Sequence, residues 1–157
     1  MKSAEGELDG TESDRVYLAP SLDIDISDRT SLTLLASYLK DDGIPTNPFM
    51  PMEGTLVHSD KGSLDPSLNL GAPDHDLYQR TQISLGYALE HELSSTWMLA
   101  SKFNYGYNEL LLHSTYIWPS DYGTGLYNRG IVYEDGVNQS YTFDNHAIGT
   151  WYSDNVD

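Results

Sequence analysis

Apolar and polar residues alternate along most of this chain. From Arg15 to Ile26 the even positions are Val16, Leu18, Pro20, Leu22, Ile24 and Ile26, and the odd ones are Arg15, Tyr17, Ala19, Ser21, Asp23 and Asp25. A period of two predicts a β-strand with one apolar face. Pro20 is out of place in such a strand, because it donates no ladder hydrogen bond and belongs at an edge or a bulge. Ser27-Asp28-Arg29 supplies turn chemistry, and a second run, Thr30 to Lys40, sets Leu32, Leu34, Ala36 and Tyr38 on one face. The two runs predict a tight hairpin.

A third strand is expected from Leu77 to Glu92, with Thr81, Ile83, Leu85, Tyr87 and Leu89 on one side and Arg80, Gln82, Ser84 and Glu90 on the other. After Ser94-Ser95 a fourth begins at Thr96. It gathers Trp97, Leu99, Ser101, Phe103, Tyr105 and Tyr107 on one face and extends at least to Asn108, with a continuation through Leu110-Leu111-Leu112 to Tyr116. A fifth run covers Ser140 to Tyr152. The fold class is therefore all-β, an antiparallel up-and-down meander of about five strands.

The connections differ sharply in length. Residues 41–76 form a long connection holding five of the seven prolines, and residues 117–139 form a second, with Pro119, three glycines and an Asp135-Gly136 hairpin signal. Loops of this length are uncommon in compact domains unless they are used.

Composition narrows the choice. Lys+Arg 8 against Asp+Glu 24 gives a formal net charge of −16, which repels phosphate backbones and argues against nucleic acid as a partner. With no cysteine there is no disulfide framework and no thiolate site. No apolar run approaches the length of a spanning helix, so any membrane role falls to strands. The 12 tyrosines disfavour disorder and suit a sheet protein.

Two architectures share this alternation. In a transmembrane barrel the apolar face meets lipid, and Trp97 at one end of its run with Tyr105 and Tyr107 at the other would form the interfacial girdles. In a soluble β-sandwich the same face packs against a second sheet. The separation of short turns from long connections favours the barrel, which keeps turns on one rim and loops on the other.

Particular segments carry a family resemblance. SDRVYLAPSLDIDISDRTSLTLLASYLKDD, then PFMPMEGTL, then YQRTQISLGYALEHEL resemble, in that order, segments of the TonB-dependent outer-membrane siderophore receptors of the ferrichrome and hydroxamate type. The likeness runs from about Asp14 to Asp157. It implies that residues 1–157 are part of a 22-stranded transmembrane barrel, with 41–76 and 117–139 as extracellular loops. It also implies a bacterial outer-membrane location and contact with outer-membrane lipid. The transported ligand would be a ferric siderophore, with no cofactor, and the TonB system would act through a plug this sequence does not contain. On this reading the chain is a piece of a longer receptor and not competent for transport by itself.

The resemblance further implies that Phe49, within Phe49-Met50-Pro51-Met52-Glu53-Gly54-Thr55, offers a ring to the siderophore. Asn47 departs from the family pattern, which often has another aromatic there. Tyr116, Trp118, Tyr122 and Tyr127 could present rings as well, although packing within the loop is the simpler explanation for each. The five histidines show no metal-ligand spacing, and no carboxylate set matches a calcium loop, so no metal or catalytic residue is assigned. The competing functions are a soluble acidic β-sandwich that binds carbohydrate or another small ligand, and a glycosidase using paired acids.

Overall fold

A computed structural model describes residues 2–45, 49–119 and 126–151. Every regular element among them is a strand: β1 (Lys2–Glu5), β2 (Glu12–Leu18), β3 (Ser21–Ser27), β4 (Thr30–Ile44), β5 (Leu77–Ser94), β6 (Trp97–Pro119) and β7 (Tyr127–Gly149). They form one sheet in the order β1-β2-β4-β5-β6-β7, with β3 also paired to β4. The all-β antiparallel meander read from the alternation is present.

Strand boundaries differ from the expectation in several places. β4 continues to Ile44, so residues 41–44 belong to a strand and the first long connection is shorter than 41–76. β5 and β6 run on to Ser94 and Pro119, and β7 stops at Gly149. The run from Arg15 to Ile26 is two strands, β2 and β3, separated at Ala19-Pro20. Proline has no N–H for the ladder, but the Pro20 carbonyl still accepts from the Ala36 N–H at 3.0 Å, so the interruption stays registered against β4. β1 was not foreseen, because Lys2-Ser3-Ala4-Glu5 carries no apolar alternation. It is held by pairing, Lys2 opposite Arg15 through Glu5 opposite Glu12. β7 begins at Tyr127, so residues 127–139 belong to a strand and the second connection is correspondingly shorter than 117–139. Asp135-Gly136 makes no turn there. The long neighbouring strand β6 offers a continuous ladder, and that outweighs a local turn preference.

The chain divides into two compact units. One comprises Met1–Val16, Leu39–Thr81 and Glu109–Val137, and the other Tyr17–Tyr38, Gln82–Asn108 and Asn138–Asp157. The second unit holds the short turns. Asp28-Arg29 joins β3 to β4, with the Ser27 hydroxyl donating to Thr30 Oγ1 at 3.0 Å and accepting from the Arg29 N–H at 3.3 Å. Ser95-Thr96 joins β5 to β6, and the Thr96 N–H donates to Ser94 Oγ at 3.2 Å. The first unit holds the longer connections between β1 and β2 and between β4 and β5.

Within the second unit the faces sort by parity. Tyr87 stacks on Phe103 with centroids 6.0 Å apart, Phe103 meets Phe143 at 6.3 Å, and Tyr105 meets Tyr141 at 5.1 Å. Trp97 and Trp151 form an edge-to-face pair at 5.1 Å. Odd positions of β5, β6 and β7 therefore share one aromatic-rich face. Even positions carry the polar side chains, and the Ser84 hydroxyl donates to Asn104 Oδ1 at 2.7 Å.

Nothing among the described residues covers the aromatic face. Ala100 is the one buried hydrophobic residue, while 26 large apolar side chains are exposed, Phe143 at 65% and Tyr141 at 70% among them. A sandwich needs a second sheet against this surface, and the described residues form a single one. Trp97 and Tyr105 stand eight residues apart on β6, about 27 Å along a strand and about 20 Å across a bilayer at the tilt usual in barrels. That spacing suits interfacial rings flanking an apolar band of about 25 Å.

The two faces should respond oppositely to charge. Phe103→Arg should destabilise the lipid-inserted protein by about 2–4 kcal/mol, whereas Thr142→Arg, on the polar face of β7, should change stability by no more than about 0.5 kcal/mol. Urea unfolding in phospholipid vesicles measures both. Equal costs would mean that the faces have been assigned wrongly.

Candidate functional site

The first unit holds the candidate ligand residues that the structure describes. Tyr116 and Trp118 lie two residues apart on β6 and so project from one face. Their rings are 5.4 Å apart and inclined by 35°. Both lie over Gly130 of β7, where an added Cβ would sit 2.6 Å from the Trp118 ring and 2.9 Å from the Tyr116 ring. Only glycine leaves room for the pair to settle on the neighbouring strand. Tyr116 is half-buried, and Trp118 is 42% exposed, enough to offer a face to a ligand. His113 and Tyr133 stack at 4.6 Å at positions of the opposite parity.

The loop candidate is equally organised. The Met52 carbonyl accepts from the Thr55, Leu56 and Val57 N–H groups at 3.3, 3.0 and 2.9 Å. The Gly54 N–H returns to the Val57 carbonyl at 2.8 Å, and Gly54 has φ of 85°, a conformation that favours glycine. Glu53-Gly54-Thr55 is thus the closing part of a tight turn, and its backbone requirements explain the motif locally. Phe49, just before this turn, is 64% exposed. Tyr127 lines a cavity of about 500 Å3 together with Glu53, His58 and Lys61.

The structure brings Tyr116 and Trp118 into contact and assigns Phe49 to the same unit. Tyr122 and Asn47 lie outside the described residues. Sequence reasoning overlooked Gly130, which has no side chain to advertise its role. It also overlooked an ion cluster assembled from three distant positions.

In that cluster the buried Asp41, 3% exposed, lies between two guanidinium groups. Arg15 donates to both of its oxygens, through Nε to Oδ1 and through Nη2 to Oδ2 at 3.1 Å. Arg80 donates from Nη2 to Oδ2 at 2.7 Å and from Nε at 3.2 Å. The Arg80 guanidinium also sits 5.9 Å from the centre of the Tyr78 ring. Burial pushes the Asp41 carboxyl upward, but hydrogen bonds from Arg15 and Arg80 and the charges of both outweigh it and hold the group below the usual carboxylate range. The cluster ties β2, β4 and β5 together at the strand ends that lead into the first unit's connections.

No family model matches the chain. It is 29% identical over 149 residues to the ferrioxamine B receptor of Salmonella typhimurium, a match covering 94% of this chain and 21% of that protein. It is 26% identical over 116 residues to the ferrichrome outer membrane transporter/phage receptor of Escherichia coli, covering 73% of this chain and 15% of that protein. In structure it resembles the ferric-catecholate import receptor Fiu of E. coli, with a TM-score of 0.80 and 16% identity over 96% of this chain and 24% of the receptor chain. It also resembles the siderophore receptor PiuA of Acinetobacter baumannii, with a TM-score of 0.76 and 19% identity over 98% of this chain and 22% of that one.

The fold is therefore that of a siderophore-receptor barrel, as an unclosed stretch of its sheet. In sequence the chain is similar to the TonB-dependent siderophore receptors, as the segment resemblance implied, and it spans about a fifth of the length of the ferrioxamine receptors it matches.

Removing the Asp41 carboxylate should expose the value of the ion cluster. Asp41→Asn should lower stability at pH 7 by about 1–3 kcal/mol, less than a fully buried pair would lose because Arg15 is half exposed to solvent. Because folding lowers this carboxyl's pKa, its contribution is complete above the ordinary value of about 3.9 and fades as pH falls through the folded-state value. The gap between wild type and variant should accordingly narrow below about pH 4. Denaturant titrations at pH 7 and pH 3 provide the comparison, and a gap that does not depend on pH would refute the assignment.

Proposed function

We propose that this chain supplies consecutive strands and ligand-facing connections of a bacterial outer-membrane receptor that takes up a ferric siderophore. The observation that carries the reading is the uncovered aromatic face of a single sheet, joined to a sequence similar to ferrioxamine and ferrichrome receptors. Outer-membrane lipid covers that face. The opposite face and the first unit's connections meet the aqueous lumen and the ligand.

The work is recognition and passage, with no bond made or broken, in keeping with relatives that are receptors and transporters. Phe49, Tyr116, Trp118 and Tyr122 contribute rings to the chelate. Iron remains inside its chelator as cargo, so no protein ligand for the metal and no resident cofactor is required. Energy comes from the TonB system acting through a plug contributed by the rest of the receptor, whose remaining strands close the barrel.

Ligand binding tests this reading. The chain, refolded in detergent micelles, is titrated with ferric ferrioxamine B while tryptophan fluorescence is followed. Saturable quenching is expected, and Trp118→Ala and Phe49→Ala should each weaken binding by about tenfold, or about 1.4 kcal/mol, with the far-UV circular dichroism unchanged. A wild-type chain that is monomeric and cooperatively folded in plain buffer and indifferent to the chelate would contradict the proposal.

A further inference from the structure

The connection that ends at β5 is bolted to β6 by one side chain. Asp76 and Thr115 are 6% and 4% exposed. Asp76 Oδ1 accepts from the Thr115 N–H at 2.9 Å and from the Thr115 hydroxyl at 2.7 Å, and Oδ2 accepts from the Ala72 N–H at 2.9 Å. The Asp76 N–H donates back to the Ala72 carbonyl at 2.7 Å. A carboxylate withdrawn from water is costly unless its oxygens are satisfied, and here three donors from two segments converge on it.

The far end of the same stretch is also anchored. The Asp9 N–H donates to the Ser67 carbonyl at 2.8 Å, Asn69 Nδ2 donates to the Asp9 carbonyl at 3.0 Å, and the Gly71 N–H donates to Asn69 Oδ1 at 2.9 Å. Residues 67–76 therefore form a strap tied to the β1–β2 turn at one end and to β6 at the other. The β6 attachment is the residue next to Tyr116. Neighbouring residues of a strand point to opposite faces, so Thr115 can be held by Asp76 while Tyr116 and Trp118 remain free to lie over Gly130 on the other side.

We propose that Asp76 is a positioning residue for the ligand site: by clamping Thr115 it fixes the strand beneath the Tyr116–Trp118 pair, so a carboxylate that never touches the ligand sets how well those rings receive it. The ligand half of this statement rests on the siderophore reading above, and the positioning half does not. The strap also joins residues 67–76 and the aromatic pair into one mechanical element, so a shift in the strap is felt at the rings.

Near-UV circular dichroism of the chain in micelles, without ligand, reads the positioning. Subtracting the spectrum of each protein carrying Trp118→Phe isolates the Trp118 band. Asp76→Ala should reduce that band by about half or more, with the far-UV spectrum unchanged. Thr115→Val, which keeps the strand residue and loses the hydroxyl, should reduce it as well and serves if Asp76→Ala does not fold. Thr115→Ser should restore it. Ferric ferrioxamine B should bind Asp76→Ala about five- to tenfold more weakly than wild type.

A full Trp118 band in Asp76→Ala and Thr115→Val would overturn the clamp whatever the ligand does. An unchanged affinity beside a collapsed band would overturn its role in recognition. A collapsed band in a chain whose wild type ignores the chelate would leave the clamp standing and remove the siderophore reading instead.

Discussion

One sheet with two chemically opposite faces must find an apolar medium for one of them, and the rest of the structure follows from that constraint. Backbone N–H and C=O groups satisfy one another across the ladder, so a strand can enter hydrocarbon without leaving orphaned polar groups. The side chains then decide which way the sheet faces. Leu85, Tyr87, Phe103, Tyr141 and Phe143 collect on one side, where ring-to-ring contacts join adjacent strands but bury little area. In water such a surface drives aggregation, whereas against acyl chains it is matched.

Fixing one face commits the other. On β6, Lys102, Asn104 and Asn108 take the polar side of the second unit. In the first unit the Tyr116–Trp118 pair lies over Gly130 of β7. Around it the first unit is held by directional interactions: the Arg15–Asp41–Arg80 cluster, the turn closed on the Met52 carbonyl, and the Asp76–Thr115 clamp. Among the described residues, these directional hydrogen bonds and ion pairs, rather than packed apolar side chains, fix the loop geometry.

Most of the sheet was legible from alternation, because a period of two over many residues admits few alternatives. The turns at Asp28-Arg29 and, within one residue, at Ser95-Thr96 were legible for a related reason, since small hydroxyl and charged residues interrupt the pattern where the strands reverse. β1 escaped because its four residues bear no apolar period and owe their conformation to β2. The early start of β7 escaped because Asp135-Gly136 imitates a hairpin, while the pairing that overrides it comes from β6, remote in sequence. The aromatic candidates could be named from the chain, but Gly130, which lets two of them stack, shows its function only when strands are laid side by side. The distant partners of Asp41 and Asp76, 26 to 39 residues away, were invisible for the same reason.

The most direct test asks what touches each face. The chain has no cysteine, so Leu85→Cys and Ser84→Cys each give a single spin-labelling site on neighbouring residues of β5 with opposite parity. In phospholipid vesicles, electron paramagnetic resonance should show the label at residue 85 colliding with oxygen dissolved in the bilayer and the label at residue 84 colliding with a water-soluble nickel chelate. Labels equally accessible to the nickel chelate, or both shielded from either reagent, would mean that this sheet does not meet lipid.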